Sequence, residues 1–204
     1  MKARFCDERG KHGFGWWIVE EAATRTSHAL AADGRVWLVD AIDWPDAIER
    51  ALGFGEPAGV VQLLDRHKRD CAALARQLGV PHLVVPDEVP GSPFRCVPVV
   101  RRSRWAESAL WWAEERTLVV AEAVGTNRFF TGGTAPVGVH VILRLTPPKV
   151  LRQFGPSTLL VGHGDGLHGP ATADALARAL ATSRRGLPGL LVRLPFSGRT
   201  HEAP

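Results

Sequence analysis

The chain predicts an α/β (α+β) protein built as a four-layer αββα sandwich, two β-sheets face to face with helices outside. Three observations carry this. Strand patterns cluster early around Asp33-Gly34, a strong two-residue hairpin signal. A strand–helix–strand unit over 59–85 and a hairpin over 108–121 follow. A short strand at 158–161 then leads to an alanine-rich helix over 171–182. Two groups of strands, each with its own helices, can bury their apolar faces as two sheets sharing a core.

Taken in order, 15–19 reads as a first strand, and 27–32 and 35–40 as the arms of the Asp-Gly hairpin. Pro45 suits the first turn of a short helix through Ala47, Ile48 and Leu52, stopped by Gly53 and Gly55. The apolar run 59–64 suits a buried strand. Leu74 and Leu78 stand four apart on a second helix, with Gly79 just past its end. Strands follow at 82–85, 97–100, 108–112 and 117–121, with Ala113 to Arg116 as the last turn. A helix over 147–154 comes before the strand at 158–161. The apolar, Gly-rich stretch 125–145 gives no assignable period. Beyond Ser183 lies a Pro/Gly/Arg-rich tail, 183–204, whose Leu190-Leu191-Val192 segment could pack back or pair with another chain.

The 204 residues suit a single domain, 1–204, and a chain of this length buries a substantial core without staples. The 45% hydrophobic and 23% charged content is ordinary globular usage. A net charge of +4 favours acidic ligands but falls short of the basic stripe of a nucleic-acid binder. Cys6, Cys71 and Cys96 are odd in number and scattered, which argues against a disulfide framework and fits a reducing compartment. With no apolar leader and no membrane-length run, the expected location is the cytoplasm, with no membrane partner.

The informative stretch is Val60-Val61-Gln62-Leu63-Leu64-Asp65-Arg66-His67-Lys68-Arg69-Asp70-Cys71, a buried strand, a polar loop and a helix opening at Asp70. It resembles the segment that carries H-x-H-x-D-H in the metallo-β-lactamase fold family. Three further pieces resemble the family in order: Arg35 to Asp40, a strand ending in aspartate; Glu107 to Val120, a strand pair; and Leu159-Leu160-Val161-Gly162-His163-Gly164-Asp165, a late strand and G-H-G turn. Together the likeness spans roughly 15–182.

The resemblance implies a two-metal hydrolytic centre, and this sequence departs from it. The first two histidines of the motif fall on Arg66 and Lys68, the aspartate on Asp70 and the last histidine on Cys71. The third histidine falls on Ser103, the bridging aspartate on Glu122 and the late histidine on His163. His67 is one residue out of register and is expected to point away if the loop is extended. The family's first-metal ligands are thus lost, two of them to cations. Asp70, Cys71, Glu122 and His163 all remain able to bind one zinc. A cation about 5 Å from a divalent ion costs about 6–7 kcal/mol at an effective dielectric of about 20.

The expectation is therefore a degenerate, non-hydrolytic pseudoenzyme with no obligatory cofactor. Its pocket of Arg66, Lys68, Asp70, Ser103, Glu122 and His163 would take a small anionic ligand or a partner. The alternative is a one-zinc hydrolase of an ester, thioester or phosphodiester, held by Asp70, Cys71, Glu122 and His163. A homodimer through 125–145 or the tail is a third option. Plainer roles compete: Asp70 as a helix N-cap, Cys71 as a small buried side chain, and the run Arg95, Arg101, Arg102 and Arg104 as a solvated face. The seven tryptophans suit the core better than a stacking platform.

Overall fold

The computed structural model describes residues 3–18 and 24–190. Val19 of the expected first strand and the 191–204 part of the tail, with Leu191-Val192, lie outside the described residues.

The first half of the chain forms β1 (Ala3–Cys6), β2 (Gly13–Ile18), β3 (Thr26–Ala32), β4 (Arg35–Val39), α1 (Pro45–Leu52), β5 (Glu56–Gln62), α2 (Cys71–Leu78) and β6 (His82–Val84). They make one six-stranded sheet in sequence order. The Asp33-Gly34 turn puts both residues at positive φ, 50° and 71°, as its twist requires. The sheet is antiparallel through β4, then parallel through β5 and β6, because α1 and α2 serve as crossovers. Alternation divides the faces. Leu30, Trp37, Val39 and Val61 point into the core between the sheets. Ala29, Val36, Leu38 and Val60 pack under Ile48 of α1 and Leu74 of α2. Gly79 ends α2 at φ 66°.

The second half forms β7 (Phe94–Arg102), β8 (Trp105–Trp112), β9 (Thr117–Val120), β10 (Val124–Gly125), α3 (Arg128–Thr131), β11 (Gly138–Val139), β12 (Thr158–Val161), β13 (Leu167–His168) and α4 (Thr172–Thr182). Five of these strands make the second sheet in the order β13-β12-β9-β8-β7, and β10 pairs with β11 alone. Leu176 and Leu180 of α4 join the same core as Leu118, Val119 and Leu160. Mixed sheets flanked by helices match the α/β class expected.

Several expectations are corrected. The helix over 147–154 is a shorter 3-10 turn, Lys149–Gln153. The unassigned 125–145 stretch is a string of short elements, its regular period broken by glycines. The first sheet has an extra edge strand, β1, which lacked an apolar pattern. Trp16, Trp37, Trp105 and Trp112 are core residues, as expected.

Strands β4, β5, β9 and β12 all run toward one edge of the sandwich. The bridges Leu64↔Glu107 and Arg25↔His163 join segments of the two halves there. Backbone just past these four strand ends supplies Asp40, the 63–70 loop, Glu122 and His163.

Candidate metal centre

The site begins with the 63–70 loop, which is not extended. The His67 N–H donates to the Leu64 carbonyl at 2.9 Å, closing a turn, and Arg69 has a φ of 42°. The turn cancels strand alternation, so His67 points inward. Its Nδ1 lies 3.0 Å from Asp40 Oδ2, and its Nε2 lies 3.3 Å from His163 Nε2. This corrects the expectation that His67 would face away.

Asp40 is buried at the end of β4, and its other oxygen accepts the Leu63 N–H at 2.9 Å. Burial opposes its ionisation, but His67, Arg69 and the Leu63 N–H together hold its carboxyl below the usual range. An ionised Asp40 takes the proton of His67 Nδ1 as a hydrogen bond. That fixes the tautomer and leaves a lone pair on Nε2. Arg69 clamps the floor: Nη1 donates to the Thr26 and Asp40 carbonyls at 2.5 and 2.6 Å, and Nη2 to the Gly162 carbonyl at 3.0 Å.

Glu122 follows β9 in a turn held from below by Glu107. This carboxyl is fully buried; Oε1 accepts the N–H groups of Glu122 and Ala123 at 2.9 and 3.0 Å, and Oε2 accepts Trp105 Nε1–H at 2.9 Å. Burial pushes its pKa up to about 7 despite the three donors. Glu122 Oε1 lies 3.9 Å from His163 Nε2 and 3.7 Å from His140 Nε2. Its Oε2 accepts Arg66 Nη2 and Nε at 2.8 and 3.1 Å. The Arg66 guanidinium lies 4.0 Å over the Trp105 ring. Burial opposes ionisation of Glu122, but Arg66, His67 and His140 hold its pKa down.

His163 is carried by the G-H-G turn after β12. A Cβ on Gly162 would stand 2.3 Å from the Ala121 carbonyl oxygen and 3.1 Å from His67 Cε1. The glycine lets the two strand ends close on each other. Phe130 stacks on His163 with centroids 5.6 Å apart. His140 completes the wall against Trp105 and Phe130. Its Nδ1 accepts the Ile142 N–H at 3.3 Å, which places its proton on Nε2, and burial pushes its pKa down.

His67, Glu122 and His163 thus present one donor atom each, all within 4.8 Å of one another. Donors of a tetrahedral ion with bonds of about 2.0–2.1 Å stand about 3.3–3.4 Å apart, close to the histidine pair. Two imidazoles and a carboxylate suit zinc or iron(II) and leave positions open. Of the residues expected at the site, Glu122, His163 and Arg66 meet. The ion pair of Arg66 with Glu122 is present.

Asp70 and Cys71 do not join them. The Asp70 carboxylate accepts the Asp43 N–H at 2.8 Å and makes no capping bond to α2. Cys71 is buried on the far side of the first sheet, its thiol 3.8 Å from the Ala41 carbonyl, with its pKa pushed up to about 12 by burial. Lys68 and Ser103 are exposed. Of the basic run, Arg95 lies over Phe154, Arg101 pairs with Asp87, and Arg102 donates to Thr146. The sequence did not place His67 or His140 at the site; the signal for His67 was Asp40, at the end of the strand that pairs with β5.

No family model matches the sequence, and no curated protein matches it. Solved structures do. The metallo-β-lactamase FIM-1 from Pseudomonas aeruginosa, in a mono-zinc form, superposes with a TM-score of 0.63 at 12% identity, covering 90% of this chain and 97% of that one. A metallo-β-lactamase from Pontibacter korlensis gives 0.60 at 9% identity, covering 88% and 99%. A chemotaxis sensor, ODP, described as a peroxy diiron species, gives 0.54 at 13% identity, covering 87% and 93%. The chain has the metallo-β-lactamase fold.

Proposed function

We propose that this protein is a one-metal hydrolase of anionic ester-type substrates, its ion held by His67, His163 and Glu122. The observation that carries the reading is the convergence of three donor atoms within 4.8 Å, with Asp40 fixing one imidazole from behind. The mono-zinc form of the similar lactamase and the peroxy diiron sensor support a metal in a chain of this fold. This replaces the ligand set expected from the sequence, and it favours the hydrolytic alternative over the pseudoenzyme.

The chemistry that a divalent ion supplies in such a site is polarisation of a carbonyl or phosphoryl oxygen and activation of water. The chain's own residues do the rest. Asp40 keeps the His67 proton on Nδ1. Glu107 fixes the turn that aims Glu122. Trp105, Phe130 and His140 exclude bulk water from one side. Arg66 and Lys68, cations at the exposed rim, attract the negative charge of a substrate. His140, with its proton on Nε2, is placed to donate to an oxygen bound beside Glu122.

A second reading has its own observation, the 2.8 Å Arg66–Glu122 pair. There the guanidinium takes the place of metal charge, and the pocket binds an anion without chemistry. Elemental mass spectrometry on wild type, His67→Ala and His163→Ala decides between them. The hydrolase reading expects near one equivalent of metal, lost in both variants, and metal-dependent turnover in an ester and phosphodiester screen. Metal content that is negligible in wild type, or unchanged in both variants, rejects it.

A further inference from the structure

On the flank away from this centre, α4, β11 and the turns at 132–136 and 183–190 enclose a cavity of about 490 Å³. Its size suits a small organic ligand. Three arginines line it, Arg144, Arg178 and Arg185, and no lining residue carries a carboxylate.

Arg144 is the unusual member. Its side chain is buried at 7% exposure, and no described carboxylate pairs with it. Nε donates to the Val139 carbonyl at 3.1 Å and Nη2 to the Phe130 carbonyl at 2.6 Å. Two carbonyls orient the guanidinium but do not neutralise it. Nη1 is left toward the cavity, 3.0 Å from where a Cβ on Gly186 would stand. Burial pushes the pKa of this group down, which marks a charge held at a cost. Buried charges are ordinarily paired, and here the complement is missing from the described residues.

The remaining polar groups narrow the ligand. The hydroxyls of Thr131, Thr134, Thr182 and Ser183 each donate to a backbone carbonyl. Their protons are engaged, so they do not serve as donors to a ligand. The side chains of Arg178 and Arg185 are exposed and make no hydrogen bond or ion pair with a described residue. The free side-chain donors are therefore the N–H groups of three guanidinium groups, and their combined charge suits a phosphate dianion better than a singly charged carboxylate.

We infer that this cavity is a binding site for a small phosphorylated molecule, its phosphate held by Arg144, Arg178 and Arg185. The cavity extends past the arginines along Ala175, Ala179 and Val137, which gives an apolar wall for the rest of the ligand. The site is distinct from the metal centre, with Phe130 between them: its carbonyl meets Arg144 and its ring meets His163.

The test is calorimetric titration of the full chain with inorganic phosphate at low ionic strength. The variants are Arg178→Ala/Arg185→Ala, which alters two exposed side chains and spares the fold, and Arg66→Ala/Lys68→Ala at the other rim. Saturable binding is expected in wild type and in the Arg66/Lys68 variant, weakened at least tenfold in the Arg178/Arg185 variant. Absence of saturable binding in wild type overturns the inference. So does binding that survives in the Arg178/Arg185 variant, or that is lost only with Arg66 and Lys68. None of these results bears on the metal content that tests the hydrolase reading.

Discussion

Replacing Asp40 with Asn changes one atom and should weaken metal binding at the centre. The position has a φ of 45°, which Asn tolerates well, so the backbone is not strained. The Leu63 N–H, 2.9 Å from Asp40 Oδ1, needs an acceptor, and the Asn carbonyl supplies it. The amide NH2 then faces His67 Nδ1 across 3.0 Å. Two N–H groups cannot face each other, so the ring proton moves to Nε2 and removes the lone pair aimed at the ion. The reverse amide orientation leaves the Leu63 N–H facing a donor, at about 1–3 kcal/mol. Loss of such an outer partner typically weakens metal binding 10–100-fold, about 1.4–2.7 kcal/mol. Competition with a chromophoric chelator reads the zinc affinity, and a urea titration reads the stability. Zinc affinity within twofold of wild type, together with unchanged stability, would refute the tautomer argument.

Three further outcomes are expected. Arg66→Ala should tighten zinc binding at least tenfold by removing a cation beside Glu122. Because Arg66 is 41% exposed, stability should change by no more than about 1 kcal/mol; weaker zinc binding would contradict this. Glu107, raised to about 7 from 4.5, makes its full contribution to stability below pH 4.5 and loses it as pH rises through 7. The loss is about 3 kcal/mol. Urea titrations at both ends of that window should show it in wild type and not in Glu107→Gln; parallel pH profiles would count against it. Gly162→Ala drives a Cβ to 2.3 Å from the Ala121 carbonyl and should cost at least about 1–3 kcal/mol, seen as a lower urea midpoint. A midpoint equal to wild type would show that the strand ends can part.

The site was legible only in part. Glu122 and His163 could be found because each stands just past a strand whose register is plain. The G-H-G turn announces close backbone approach. His67 was misplaced because the period-2 rule was carried five residues beyond β5, into a loop that turns at Leu64. Asp70 and Cys71 were placed by the resemblance of this stretch to the family motif; the turn at 64–70 instead delivers them on the side of α2. His140 lay in the stretch without periodicity, where short elements and glycines carry no pattern.

What the sequence by itself determined is local. Asp33-Gly34 makes its hairpin, Pro45 starts α1 and Gly79 ends α2. Alternation in β3 and β4 divides the sheet into two faces, and the order of elements gives the layered fold. These depend on neighbours a few residues apart, so any one segment contains its own answer. The tertiary structure alone decided that Asp40, His67, Glu122 and His163 meet, that Arg66 turns to Glu122, and that Arg144 is buried without a counter-charge among the described residues. Those facts depend on strand ends from two sheets closing over one edge. Side chains as much as 96 positions apart reach contact there, and no local pattern encodes that distance.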